Sequence, residues 1–245
     1  MLASSLLVAI ILAMVHLFGG RLAIWMSDSH HRWLSVGGGV TVAFVFLYLL
    51  PELEYFHQVL SDHGATDLVE ELLYLTGLVG VTIYYSLEHL AFRVRESSSD
   101  QDDDKDSPLF GHDYVFWLHM GWYGVYNIII GALLSVGTQE TTQGLWLYGV
   151  AIAIHFLTVD ASMRSHHRHV YHRTGRWLLA AAVIVGWGLG VALTLPPEMI
   201  ALAMGFLFGG LLINSIKDEL PSSDRARVFP FLVGVVVASV LLVLI

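Results

Sequence analysis

All twelve lysines and arginines of this chain fall in four of its connections, and those connections alternate. Eight apolar runs lie between them, over residues 2–20, 34–50, 72–92, 114–136, 144–159, 177–195, 199–216 and 228–245. Each approaches the roughly 20 mostly apolar residues that carry a helix across a bilayer. Arg21 and Arg32 follow the first run. Arg93, Arg95 and Lys105 follow the third, Arg164, Arg168, Arg173 and Arg176 the fifth, and Lys217, Arg225 and Arg227 the seventh. The positive-inside rule then places these four connections in the cytoplasm and both termini outside. A different number of spans would scramble the alternation. The expectation is an all-α integral membrane protein of eight transmembrane helices in the cell (plasma or inner) membrane.

Composition agrees. The chain is 56% hydrophobic and 13% charged, against about 25% charged for a soluble domain. A net charge of −9 excludes a nucleic-acid partner as the natural reading and leaves the lipid bilayer. With no cysteine, disulfides, thiolate metal sites, iron–sulfur clusters and c-type haem attachment are excluded. Histidine, aspartate, glutamate, asparagine and methionine remain as ligands. The opening "MLASSLLVAIILAMVHLFGG" lacks the cationic start of a signal peptide and reads as a retained first span. Residues 1–245 form one polytopic domain. The acidic stretch 96–108, "ESSSDQDDDKDSP", reads as a disordered cytoplasmic loop, and 51–71 as an outer connection with a short interfacial helix. Trp25, Trp33, Trp146 and Trp177 sit near the ends of runs, as an aromatic belt would.

Polar groups inside a bilayer are costly and mark an interior with a purpose. The deep ones are His16, His119, Asn127, His155 and Asn214. Glu88, His89, Asp160, Arg164 and Lys217 lie nearer the cytoplasmic ends. On the fourth run His112, His119, Tyr123, Tyr126 and Asn127 share a helical stripe. On the fifth, His155, Val159 and Ser162 do. His119 and His155 on facing helices could hold a metal ion between two imidazoles, with Asn127 and Asp160 on the same helices. Equally, each histidine could bond a neighbouring carbonyl and hold the bundle together. Asp160 and Arg164, four apart, should pair. Gly186, Gly188 and Gly190 read as positions of close helix packing. In "MRSHHRHVYHRTGR" the arginines are explained by topology and the four histidines are not. If the fifth helix continues, His166 and His169 lie one turn apart and could clasp a metal ion. Otherwise the stretch is a basic cytoplasmic loop.

An internal echo adds an architectural constraint. The second run reads "GGVTVAFVFLYLLPE" and the seventh "GGLLINSIKDELP". Gly39 stands twelve residues before Pro51, and Gly209 twelve before Pro221, in opposite membrane orientation. That pattern suits an inverted-topology repeat, helices 1–3 mirroring 6–8 around a central pair.

Eight helices, termini outside, a polar loop after the third helix and this "GG…LLPE" segment resemble the ZIP (Zrt/Irt-like) divalent-metal transporters. "YYSLEHLAF" is similar to that family's third helix and "FLFGGLLINSIKDELP" to its seventh. The resemblance implies a 3+2+3 inverted-repeat bundle that transports a metal ion, zinc or a similar divalent ion, with a second copy of the chain as a candidate partner. It implies ligands at His119 and His155. Where the family's fourth helix reads His-Asn-x-x-acid-Gly, this chain has "HMGWYG", so Met120 and Tyr123 replace the asparagine and the acid. On the fifth, Phe156 and Val159 replace a polar ligand and an acid. Asp160 comes one residue late, about 100° round the helix. Tyr48 stands at the usual histidine of the second helix. Two imidazoles alone leave a divalent charge uncompensated in low dielectric. Two further readings therefore stand beside transport: a ZIP-fold scaffold or sensor, and a b-type haem protein with His119 and His155 as axial ligands. No nucleophile–base pair suggests an enzyme.

Overall fold

A computed structural model describes residues 1–25, 30–62, 67–99, 112–136, 141–215 and 228–244. Within these, the side chains of 21–25, 30–31, 34, 67–70, 91–92, 94–99, 112–113, 115 and 165–169 are not described. The loop expected to be disordered over 96–108 is helical as far as Ser99, the end of the fourth helix, while 100–108 and the side chains of His166 and His169 fall outside the described set.

The described residues are almost entirely helical, with no strand among them. The helices are α1 (Leu2–Trp25), α2 (His30–Phe44), α3 (Leu50–Asp62), α4 (Asp67–Ser99), α5 (His112–Val136), α6 (Thr142–Val170), α7 (Arg176–Ala192), α8 (Pro197–Asn214) and α9 (Val228–Val243). Among the described residues, five helical stretches are long and apolar enough to cross a membrane: Leu2–Gly20, Ser35–Asp62, Thr142–Arg164, Tyr171–Ala192 and Pro197–Asn214. The apolar α9 has 16 residues. The α1 side chains Leu7, Ile10, Ile11 and Met14 are exposed, as are Val233, Val236, Val237 and Val240 on α9. In water such surface would drive association. Such a surface is compatible with contact to a lipid bilayer.

Two junctions differ from the sequence reading. Pro51 does not end the second helix. A π-helical turn, Val45–Leu49, joins α2 to α3 with helical dihedrals at both flanks. Proline removes one backbone donor and its ring presses on the carbonyl four residues back, and the wider turn accommodates both. The outer segment thus prolongs the second helix instead of forming a separate interfacial one. Leu53, Phe56 and Leu60 of α3 are buried, while Glu54 faces out to Gln58 and Tyr74. The second junction is the histidine-rich stretch, read as a basic loop unless the fifth helix continues. It is helical to Val170, and a π-helical turn, Tyr171–Gly175, leads into α7. Asp160 and Tyr171, eleven residues apart, hydrogen-bond to each other. A straight helix would separate them by about 16 Å, so the path bends between them.

Glycines set the closest helix pairs. A Cβ on Gly131 would lie 2.1 Å from the Val183 carbonyl oxygen, and one on Gly186 2.0 Å from that of Ile128, so α5 and α7 meet backbone to backbone. Gly39 and Gly234 do the same for α2 and α9, and Gly80, Gly205 and Gly209 for α4 and α8. Without a hydrophobic drive between helices in lipid, this intimacy supplies the packing energy. It also fixes which faces of α5 and α6 turn inward.

Candidate functional site

The five deep polar residues read from the sequence are all buried: His16, His119, Asn127, His155 and Asn214 are at most 4% exposed, and Asp160 is fully enclosed. They gather around α5 and α6 in two groups.

In the first group, His16 of α1 is the hub. Its Nδ1 lies 2.8 Å from Asp160 Oδ1 and its Nε2 2.9 Å from Asn127 Oδ1. The Asn127 amide nitrogen donates to the Tyr123 carbonyl at 2.7 Å. Tyr171 donates its hydroxyl to Asp160 Oδ1. The other carboxylate oxygen, Oδ2, makes no hydrogen bond and faces Arg164 Nη1 at 3.8 Å. Gly19 leaves room for it, since a Cβ there would come within 3.2 Å. Arg176, at the start of α7, donates to the Leu17 carbonyl at 3.2 Å.

In the second group, Tyr84 of α4 donates to Asn214 Oδ1 of α8, and the Asn214 amide stands 3.3 Å from His155 Nδ1. The Tyr123 hydroxyl reaches that of Tyr84 at 3.4 Å. His119 stacks against Tyr123 with ring centres 6.4 Å apart and places Nε2 3.9 Å from Glu88 Oε2. That is ion-pair range, longer than a hydrogen bond. His155 packs against Tyr126 and Phe156, and Phe156 also packs on His16 at 4.3 Å. The two groups therefore adjoin through Phe156 and through Tyr123–Asn127.

The two asparagines differ in freedom. Asn127 cannot be flipped without setting its oxygen against the Tyr123 carbonyl, an acceptor. Asn214 sits between a hydroxyl and an imidazole, each able to give or take a proton bond. Either amide orientation can be satisfied there, so His155 can carry its proton on Nε2 or on Nδ1.

Of the sequence-derived ligand candidates, His119 and His155 line the second group. Asn127 and Asp160 instead engage His16, the residue whose partners the sequence did not reveal. The expected Asp160–Arg164 pair is present. Glu88, placed by the sequence near the end of its helix, is turned toward His119. Tyr84 and Tyr171 were not foreseen. Their one signal was a hydroxyl on an aromatic ring, too common to single out. Among the described residues no group of three or more histidines, aspartates or glutamates is arranged to hold a metal ion. No family model matches the chain, and no curated protein matches it.

Proposed function

We propose that the chain is a ZIP-like membrane transporter of a metal ion, divalent and zinc-like, sitting in the cell membrane with both termini outside. The observation that carries this reading is the behaviour of the internal echo. Gly39 abuts the α9 backbone, where a Cβ would lie 2.2 Å from the Phe231 carbonyl oxygen. Gly209 abuts α4, 1.9 Å from that of Gly77. A π-helical turn opens six residues after Gly39, at Val45. Mirroring the first three spans onto the last three exchanges the α2–α9 pair with the α4–α8 pair. It likewise exchanges α5–α7 with α1–α6, and all four pairs are packed. Two halves related in this way are the scaffold of alternating access.

The second group is the cargo route in this reading. His119 and His155 offer imidazole nitrogens, and Glu88 offers a carboxylate that the fourth and fifth spans lack at Tyr123 and Val159. The Asn214 flip frees Nε2 of His155 for a cation. Imidazole with one carboxylate suits zinc-like ions. Asn127 and Asp160, held by His16, stand outside this ligand set. The test is zinc uptake by proteoliposomes holding the purified chain. Uptake should be saturable and fall on the order of 10-fold or more in His119→Ala and in Glu88→Gln. No uptake of any divalent ion by folded protein would discard the reading.

A further inference from the structure

We propose that His16 and Asp160 hold one transferable proton between them, forming a proton store inside the membrane that is separate from the cargo route. This deepens the transport reading and rests on it for its use, but the store itself follows from hydrogen-bond complementarity. The Asn127 amide is fixed by the Tyr123 carbonyl, so its oxygen faces His16 Nε2 at 2.9 Å. That oxygen only accepts, so Nε2 must carry a proton. Asp160 Oδ1 faces Nδ1 at 2.8 Å. With a neutral, Nε2-protonated ring and an ionised carboxylate, two lone pairs would confront each other there. One further proton must lie between Nδ1 and Oδ1. Written as imidazolium–carboxylate or as imidazole–carboxylic acid, the pair is neutral overall. That is the state in which fully enclosed partners are least costly. The proton is not on Oδ2, which has no hydrogen-bond partner and looks toward a cation.

The surroundings suit release as well as retention. Tyr171 donates to Oδ1 and Asn127 accepts from Nε2, holding the pair in register. Arg164, on the same helix as Asp160, faces Oδ2 at 3.8 Å. Arg176 lies behind α1 on the Leu17 carbonyl. When the proton passes to water, His16 becomes a neutral ring and Asp160 a carboxylate. Arg164 is already placed as its counter-ion. These are the charged and titratable groups that the described parts of α1, α5, α6, the π-helical turn and α7 bring to the pair.

The experiment is solid-state NMR on the whole chain in lipid bilayers, with ¹⁵N-labelled histidine and ¹³C-labelled aspartate. The His16 signals are assigned by their loss in His16→Gln. At neutral pH the wild-type chain should show a protonated His16 Nε2 and one more proton, on Nδ1 or on the Asp160 carboxyl. Raising the pH should remove that proton in one step, and Asp160→Asn should abolish the step. A neutral imidazole beside an ionised Asp160 at neutral pH overturns the proposal. So does a proton that stays in place however far the pH is raised short of unfolding. The wild-type measurement needs no variant to fold. It also separates the two readings. A chain that holds the proton but moves no metal sinks transport alone, and one that takes up zinc with an ionised Asp160 beside a neutral ring sinks the store alone.

Discussion

Replacing Gly186 by alanine should destabilise the bundle, whereas the same change at Gly188, two residues on, should not. A Cβ at Gly186 would lie 2.0 Å from the Ile128 carbonyl oxygen and 2.7 Å from its Cα, both backbone atoms of α5. Ordinary contact begins near 3.4 Å, so α5 and α7 must part by more than an ångström. Because Gly131 meets α7 in the same way, the separation loosens the whole seam. Overpacking of this kind costs about 1–3 kcal/mol, and a backbone-to-backbone contact belongs at the upper end. At Gly188 nothing lies within 4 Å, and exchange of helical glycine for alanine contributes about 0.5–1 kcal/mol of stability. The two variants should thus differ by about 3 kcal/mol. For a chain of this length that is roughly 6–12 °C in Tm. Thermal unfolding in one detergent, followed by tryptophan fluorescence and by retention of the monodisperse peak, measures it. If the two alanine variants unfold within a degree or two of each other, the seam is not built on Gly186 and the helix assignment is wrong there.

Three other outcomes can be checked directly. Asp160→Ala should cost about 3–5 kcal/mol, because it strips His16 and Tyr171 of a shared partner and Arg164 of its counter-charge, while His16→Ala combined with it should cost much less than the sum of the single changes. Zinc affinity, read by isothermal titration, should rise in Tyr123→Glu and in Val159→Glu, since each adds a carboxylate beside the imidazoles. Accessibility tags at either terminus should react from outside intact cells and one within 97–107 only from inside; termini on opposite faces would end the eight-span reading.

The inventory of buried polar residues was legible in the sequence, and the partnerships were not. His16, His119, Asn127, His155 and Asn214 stood out because a polar side chain amid an apolar run has few reasons to be there. Which of them meet depends on helix rotation, set by contacts such as Gly149 on Val8 between α6 and α1. No local pattern encodes that. Hence His16 and Asp160, 144 residues apart, looked unrelated, and Glu88 was read with its own helix end instead of with His119. The glycines of the echo were visible as a repeat, but only the structure shows that each is a close-approach point. Pro51 misled because proline usually closes a helix. The π-helical turn at Val45–Leu49 lets this one continue.

The missing carboxylates bring the two groups together. A divalent ion beside Glu88 and His119 meets one negative charge, and the low-dielectric interior favours a second. In the proposed ZIP-like reading Val159 stands where an acid would be expected on the fifth span, and the next residue is Asp160. Its charge is present in the core but masked by the proton shared with His16. Release of that proton supplies a second negative charge to the centre of the bundle when cargo enters. Arg164 offsets part of it at 3.8 Å, so the field felt by the cargo is weakened but not abolished. Loading of zinc should then expel about one proton from the protein, beyond any lost by His119 and His155 on ligation. Titration calorimetry in buffers of different ionisation enthalpy counts these protons. Carried out well above the ordinary imidazole range of about 6.5, it isolates the contribution of the pair. The wild-type chain should release one proton more than Asp160→Asn. Equal release by the two would mean that the cargo does not draw on Asp160, and that the His16 pair serves the bundle's packing alone.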